Sequence, residues 1–359
     1  MKKLLSIIIM VVLLIATLSN TLIFALDKKP VVIRIGSAFT AGSSNPYSLQ
    51  TIGIVHQQGL LEDEFKKDGI KVEWIFFKGV SPALNEAFAN NSIDIGATSE
   101  LGAIIAKANG LKIKLISGLS RNGNSYVAVP AGSSITKFED LKGKKFATAN
   151  ATNFQLAFER IAQFKGLTSK DFKYYNLGPA DGVAALASNN IDGALYGTQL
   201  FAPRNSGKIK IIYSTKEQFP DKWKSQSGIF VTESFAKTYP QIPKRFVKVF
   251  LKAAQWSSNE NNREAFFLAG SKTGTPIENL REDAEGSKLV ETNSPLLDDF
   301  VIGHYKDTIT LAKDLELIKD GFDVKELVDK TYLEAALKEL RLNSFWTSYD
   351  AEGKIVNKK

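Results

Sequence analysis

The sequence predicts an α/β protein of two lobes, each a mostly parallel sheet with helices on both faces. Three observations predict it. Strand-like and helix-like segments alternate from Val31 to Asn109, the alternation restarts at Tyr126, and from residue 233 the pattern is helical almost to the end.

The first unit opens with the apolar run Val31–Ile35, a buried strand. A polar loop, Gly36 to Asn45, leads to a helix from near Pro46 to Gln58 that Gly59 stops. A short helix over Leu61–Lys67 ends at Gly69, and Val72–Phe77 is the second strand. Ser81-Pro82 is a helix start, because Ser caps free N–H groups and Pro suits the first turn. Ile93–Gly96 is a short strand, Ser99 to Asn109 a helix closed by Gly110, and Lys112–Ser117 the next strand.

The second unit repeats this grammar. Tyr126–Pro130 is a strand, and residues 138–147 read as a helical turn, a Gly stop and a strand. A helix covers 152–165. Strands follow at Tyr174–Leu177, Ile191–Tyr196 and Ile209–Tyr213, with a helix at Asp181–Ser188. Gly228–Thr232 reads as a strand that crosses back. Beyond it, Phe246, Val247, Phe250, Leu251 and Ala254 recur at helical spacing, as do Leu333, Ala336, Leu337 and Leu340. Phe322 to Leu327 carries a capping box with a hydrophobic staple, and the polar tail after Trp346 reads as frayed.

The N-terminus reads as a secretory signal peptide. Lys2 and Lys3 precede an apolar run, Leu4 to Leu18, shorter than the roughly 20 residues of a membrane span. Cleavage is expected after Ser19 or Ala25; a retained anchor is the other reading. The chain has no cysteine, which excludes a thioether lipid anchor, disulfides, thiolate metal sites and a cysteine nucleophile. An exported chain without disulfides needs an ordinary core, and 359 residues with 44% apolar side chains supply one. The formal charge of +8 falls to +6 once Lys2 and Lys3 are removed, and the basic residues are interleaved with acids. That pattern is a solvated surface with a mild bias toward anions, not a nucleic-acid footprint.

Catalytic and metal motifs are absent from the sequence. The two histidines, His56 and His304, stand alone in helical segments, and there is no HExxH, GxSxG, phosphate-loop or dinucleotide glycine pattern. No cofactor and no metal are expected. What recurs is a strand that ends in a small polar cluster opening a helix: Gly36–Thr40, Gly79–Pro82, Gly96–Glu100, Asn150–Asn153 and Tyr196–Gln199. Helix N-termini expose unpaired N–H groups and carry partial positive charge. Converging on one cleft, they bind a small oxyanion with neutral donors. Ordinary N-capping uses the same residue types, and it is the five-fold repetition that favours binding. The expected ligand residues are Phe39, Thr40, Ser81, Thr98 and Ser99 from the first unit, and Asn150, Thr152 and Tyr196 from the second. Asp94 and Asp192 hold matching places and are expected to fix turns.

Gly59-Leu60-Leu61-Glu62, Val72-Glu73-Trp74, Leu84–Phe88, Ile93–Gly96, Ala108-Asn109-Gly110, Val127–Pro130, Asp140–Lys145 and Ile191–Ala194 together resemble the substrate-binding proteins of ABC importers for aliphatic sulfonates, taurine and nitrate. The resemblance runs from about residue 31 to 235. It implies a two-lobed, type II-like periplasmic binding protein. The expected division is a signal peptide over 1–25, a discontinuous first lobe over 31–122 and 233–345, a second lobe over 123–232, and a flexible tail over 346–359. Hinge strands are expected near 117–126 and 228–232. It further implies a periplasmic monomer, not a lipoprotein and not an enzyme, that delivers a small organic anion to an ABC permease. An aliphatic sulfonate is the first expectation for the ligand. The sequence departs from the family at Asp192–Thr198, where many relatives have Asp-Ala-Trp, and at Lys78–Pro82, where many have Gly-Ser-Gly-Pro. Nitrate, taurine or a pyrimidine precursor of thiamine therefore stay open as ligands. So does an enzyme of the thiamine-precursor synthase type, against which the lack of cysteine counts.

Overall fold

The computed structural model describes residues 29–39, 48–78 and 81–356. The signal-like segment and Thr40 lie outside the described residues. Among the described residues, ten strands form two five-stranded sheets of matching design, ordered β2-β1-β3-β10-β4 and β7-β6-β8-β5-β9. The first holds β1 (Val32–Phe39), β2 (Lys71–Lys78), β3 (Ile95–Ser99), β4 (Ile113–Gly123) and β10 (Ser225–Thr232). The second holds β5 (Tyr126–Pro130), β6 (Lys145–Thr148), β7 (Lys173–Asn176), β8 (Gly193–Tyr196) and β9 (Ile209–Ser214).

The sheets are mixed, not mostly parallel. In the first, β1 pairs in parallel with β2 and β3, while β10 runs antiparallel to β3 and β4. In the second, β6 pairs in parallel with β7 and β8, while β5 runs antiparallel to β8 and β9. The antiparallel strands are those next to the two crossings between sheets. A strand that arrives from the other lobe is free of the right-handed βαβ rule and can insert in the opposite direction. Because β10 belongs to the first sheet, residues 225–232 leave the second lobe to which the sequence reading gave them.

The helices in the first lobe are α1 (Gln50–Gln57), α2 (Leu60–Phe65), α3 (Ser81–Ala89) and α4 (Glu100–Ala108). The second lobe has α5 (Asn153–Phe164), α6 (Pro179–Ala187), α7 (Phe201–Asn205) and α8 (Thr215–Gln218). The returning chain forms α9 (Glu233–Thr238), α10 (Gln241–Ser257), α11 (Arg263–Ser271), α12 (Ile277–Asp283), α13 (Leu289–Thr292), α14 (Asp299–Asp314) and α15 (Thr331–Glu339). Helix α10 buries Phe246, Val247, Phe250, Leu251 and Ala254, the face its spacing announced, and packs on α1 and α15. The second lobe is centred on Phe138, Phe146, Phe158 and Phe172, with the Phe146 and Phe158 rings 4.7 Å apart. Each such ring stabilises the fold by roughly 1.5–3 kcal/mol through burial.

Asp94 and Asp192 fix strand starts in the same way. The Asp94 carboxylate accepts the Arg34 N–H at 2.8 Å and the Asp192 carboxylate accepts the Lys145 N–H at 2.8 Å, so each acid pins the first residues of the neighbouring strand. Two expected loops are ordered otherwise. Gly36 to Phe39 continue β1, paired residue by residue with β2 as far as Lys78. Trp346 and Tyr349 are held to the body: Trp346 is 1% exposed and its Nε1 donates to Ser258 Oγ at 2.9 Å, and the Tyr349 N–H donates to Asp298, while residues 351–356 are exposed. Among the described residues, no helix is long and apolar enough to cross a membrane.

Candidate functional site

The C-terminal ends of the strands face a cavity of about 760 Å³ between the two lobes. A cleft of this size at strand ends is the usual location of a ligand in an open α/β fold. Its first-lobe wall is made of hydroxyls. Ser81 opens α3, Thr98 lies in β3 and Ser99 caps α4, accepting the Gly102 N–H at 3.3 Å. The Ser81 and Ser99 hydroxyls are 2.6 Å apart, and Thr98 Oγ1 donates to Ser81 Oγ at 3.0 Å. Ser81 thus accepts from Thr98. When Ser99 donates to it as well, the Ser81 proton is left to point into the cleft. Gly102 makes this approach possible, since a Cβ there would lie 2.2 Å from the Ser81 Cβ and 3.0 Å from the Ala151 carbonyl of the second lobe.

Two further hydroxyl sets complete that wall. Ser48 donates to Ser37 at 2.5 Å, and Gly53 lets the Ser48 carbonyl lie where any Cβ would sit 1.9 Å from it. Gln50 Nε2 donates to Ser120 Oγ at 2.8 Å, and Ser120 pairs with Ser227 at 2.6 Å across β4 and β10. Gln50 holds a φ of 66°, a conformation non-glycine residues seldom adopt; such strain persists where surrounding contacts fix it, often at binding sites.

The second-lobe wall is thinner. Asn153 and Phe154 at the start of α5, Gly178 to Asp181 at the start of α6, and Thr198 and Gln199 line it. Gly178 has no side chain to cap α6, so the first-turn N–H groups of Ala180 and Asp181 are left toward the cleft. Asp181 is the one charged residue among the described lining residues, and no Lys or Arg is among them.

Of the expected ligand residues, the structure brings Ser81, Thr98 and Ser99 together at the cleft. It does not bring Asn150, Thr152 or Tyr196 there. Asn150 is exposed and accepts the Tyr174 hydroxyl at 2.6 Å. Thr152 spends its hydroxyl on capping α5, donating to the Ala149 carbonyl at 2.7 Å and accepting the Phe154 N–H at 3.1 Å. Tyr196 is fully buried and donates to the Leu177 carbonyl at 2.9 Å, and burial pushes its hydroxyl pKa well up. Phe39 ends β1. Sequence reasoning missed Gly178-Pro179, although it follows a strand with the same grammar as Ser81-Pro82. It also missed the serines of the crossing strands and, from the returning chain, Thr275, Pro276 and Asn279.

Behind the hydroxyl wall, a buried network joins the lobes. Glu100, next to Ser99, accepts the Gln226 N–H at 2.8 Å and lies 3.0 Å from His304 Nε2. Thr308 donates to its other oxygen. Arg160 of α5 donates to Thr308 at 2.7 Å and to the Trp223 carbonyl at 2.9 Å, with Nη1 2.7 Å from His304 Nε2. His304, read as isolated, is 3% exposed inside this cluster. Burial alone raises the Glu100 carboxyl, but His304, Arg160 and Thr308 outweigh it and hold it below the usual range. Among the described residues, no group of His, Asp and Glu is placed to hold a metal ion.

Two matching lobes, a hydroxyl-lined cleft between them and two crossing strands define a bilobal solute-binding protein. The family model described as NMT1/THI5 like matches residues 63–264, and the chain belongs to that family. A Bacillus subtilis (strain 168) protein named for aliphatic sulfonate binding is 26% identical over 297 residues, covering 81% of this chain and 86% of that one. The crystal structure of a protein described as the periplasmic sulfonate-binding protein of a sulfonate ABC transporter, from Methylobacillus flagellatus KT, is 33% identical. It covers 89% of this chain and 97% of that one, with a TM-score of 0.78. The alkanesulfonate-binding protein of Xanthomonas axonopodis pv. citri, solved bound to MOPS, shares the fold with a TM-score of 0.71 and 20% identity, over 85% of this chain and 100% of that one.

Proposed function

We propose that this chain is the extracytoplasmic solute-binding component of an ABC importer and closes on a small organic anion, an aliphatic sulfonate first. The observation that carries the reading is the Ser81–Thr98–Ser99 cluster, three hydroxyls at two helix starts on one wall of an interlobe cavity. Neutral donors and helix N-termini hold an oxyanion without a fixed cation, so the ligand can be gripped and still released to a permease. The 33% identical periplasmic relative and the Bacillus subtilis relative, both named for sulfonates, support the ligand class. In this reading the protein is a periplasmic monomer exported by its N-terminal segment. It has no turnover of its own, since the relatives are binding proteins and His304 is committed to a lobe bridge. Phe154 and the other apolar lining residues, Ile52, Leu84, Leu119 and Val183, receive the alkyl part.

Calorimetric titration with butanesulfonate, nitrate, butylammonium and a neutral sugar tests it. Butanesulfonate is expected to bind most tightly and to raise the melting temperature with the logarithm of its concentration over its dissociation constant. Tighter binding of the ammonium or the sugar would overturn the oxyanion reading, while tighter binding of nitrate would overturn only the sulfonate.

A further inference from the structure

The cleft has a third wall. The returning chain leaves the first lobe through α11, which packs on α1, and turns at Gly274 into α12. Thr275, Pro276 and Asn279 of this turn line the cavity. One helical turn further, the same helix is clipped to the second lobe. Arg204 of α7 donates to the Glu282 carboxylate at 2.7 Å, Lys216 Nζ donates to the Glu282 carbonyl at 2.8 Å, and the Tyr126 hydroxyl donates to Asp283 at 2.6 Å. Helix α12 therefore bridges the lobes beside the ligand space.

Asn279 is the residue this bridge holds against the cavity. It is 2% exposed and its side-chain amide makes no hydrogen bond to a described residue, yet neither amide atom is sealed off, so what surface it keeps opens on the cavity it lines, whereas the hydroxyls of Ser37, Ser81, Thr98 and Ser225 are bonded within the protein. A nearly enclosed amide with no protein partner is left to bond with whatever occupies the cavity. An Asn amide offers two N–H donors, which suit an oxyanion or a hydroxyl.

We propose that Asn279 is a ligand-contacting residue supplied by the third wall, donating its amide to a polar group of the bound solute. The inference rests on the reading that the ligand sits in the interlobe cleft. Because the amide bonds to nothing else, its removal weakens the ligand and leaves the empty protein as stable as before.

The test is titration of wild type, Asn279→Ala and Asn279→Asp with ethanesulfonate, 2-hydroxyethanesulfonate, nitrate and bicarbonate, alongside ligand-free melting curves. Asn279→Ala is expected to weaken the best-bound probe at least tenfold with an unchanged ligand-free melting temperature. Asn279→Asp keeps the shape, turns a carboxylate toward the anion and is expected to weaken it further. Affinities within twofold of wild type for Asn279→Ala overturn the inference and leave the proposed function standing. So does a loss of affinity matched by a fall in the ligand-free melting temperature in both variants, the mark of a structural role. If wild type takes nitrate or bicarbonate but no sulfonate, the sulfonate reading falls, and Asn279 is judged by the same tenfold criterion on the anion that binds. A wild type that binds none of the four overturns both.

Discussion

The two lobes use the same residue types at their strand and helix ends for different purposes. In the first lobe, Ser81 bonds both Thr98 and Ser99, and this chain of hydroxyls lines the cavity. In the second lobe, Thr152 closes its hydroxyl onto its own helix start and Tyr196 onto a core carbonyl. Both lobes start helices at strand ends. The difference is the third dimension: α3 and α4 begin side by side, so the Ser81 hydroxyl meets the Ser99 cap, whereas Thr152, at the start of α5, finds both its hydroxyl partners in its own backbone. A hydroxyl at a helix start keeps a proton for the cleft when neighbouring hydroxyls take over part of its hydrogen bonding.

The largest test of that comparison breaks what keeps the walls in register. Glu100 belongs to the first wall's helix and Arg160 to the second's, and both are about 95% buried or more. Glu100→Ala leaves Arg160 charged and unpaired beside His304. The expected loss is about 3–5 kcal/mol of folding stability, read by urea denaturation. A loss below about 1 kcal/mol would mean the bridge does not hold the lobes.

The next test separates binding hydroxyls from capping ones. Ser81→Ala is expected to cost roughly 1–3 kcal/mol of ligand affinity, tenfold or more, because a ligand oxygen is left unpaired in a closed cleft. Thr152→Ala is expected to lose about 1 kcal/mol of stability as a lost cap and to bind as wild type does. If the two variants exchange these phenotypes, the wall assignment is reversed.

The strand and helix order was legible because hydrophobic period and Gly and Ser punctuation are local signals. Tyr126–Pro130 needed nothing beyond its own residues, and Ser81-Pro82 marked a helix start that the structure keeps. The directions of β5 and β10 were not legible, because they depend on which sheet a crossing strand joins. The second wall was misread for a similar reason. Asn150 looks like a helix-start donor, but it is exposed and outside the cleft lining, its Oδ1 tied to the hydroxyl of Tyr174, 24 residues away. Asn279 carried no signal at all, since only the return of the chain past α1 brings it to the cleft.

A third test uses pH to distinguish two bridges between the lobes. Glu100 is held below the usual carboxylate range, so its contribution is present above an unfolded pKa of about 4.3 and is lost as pH falls through the lower folded value. Asp283 behaves oppositely. Burial pushes its carboxyl up more than Tyr126, Asn124 and Lys216 pull it down. Its contribution is fully present below an unfolded pKa of about 3.9 and is lost as pH rises through the higher folded value. The protection factors of segment 274–283, exchange rates divided into the intrinsic rate at each pH, are therefore expected to rise on mild acidification from neutral pH, and to lose that pH dependence in Asp283→Asn. Protection that falls in wild type over that range would put the sign of the Asp283 shift in error.

The smallest effect expected is at Asp181. It is exposed at the first turn of α6, where an acid complements the helix dipole by about 0.3–1 kcal/mol. The same charge faces a cleft in which no described lining residue is cationic, so it opposes an anionic ligand. Solvent and salt screen an exposed carboxylate, which limits the repulsion to a fraction of about 1 kcal/mol. Asp181→Asn is therefore expected to tighten a sulfonate by up to about threefold at low ionic strength and to leave affinity unchanged near 1 M salt, with a slight loss of stability. Titration at two salt concentrations reads both. Weaker binding of the anion by Asp181→Asn would mean that the carboxylate accepts a hydrogen bond from the ligand, and the second wall would then be a recognition surface in its own right.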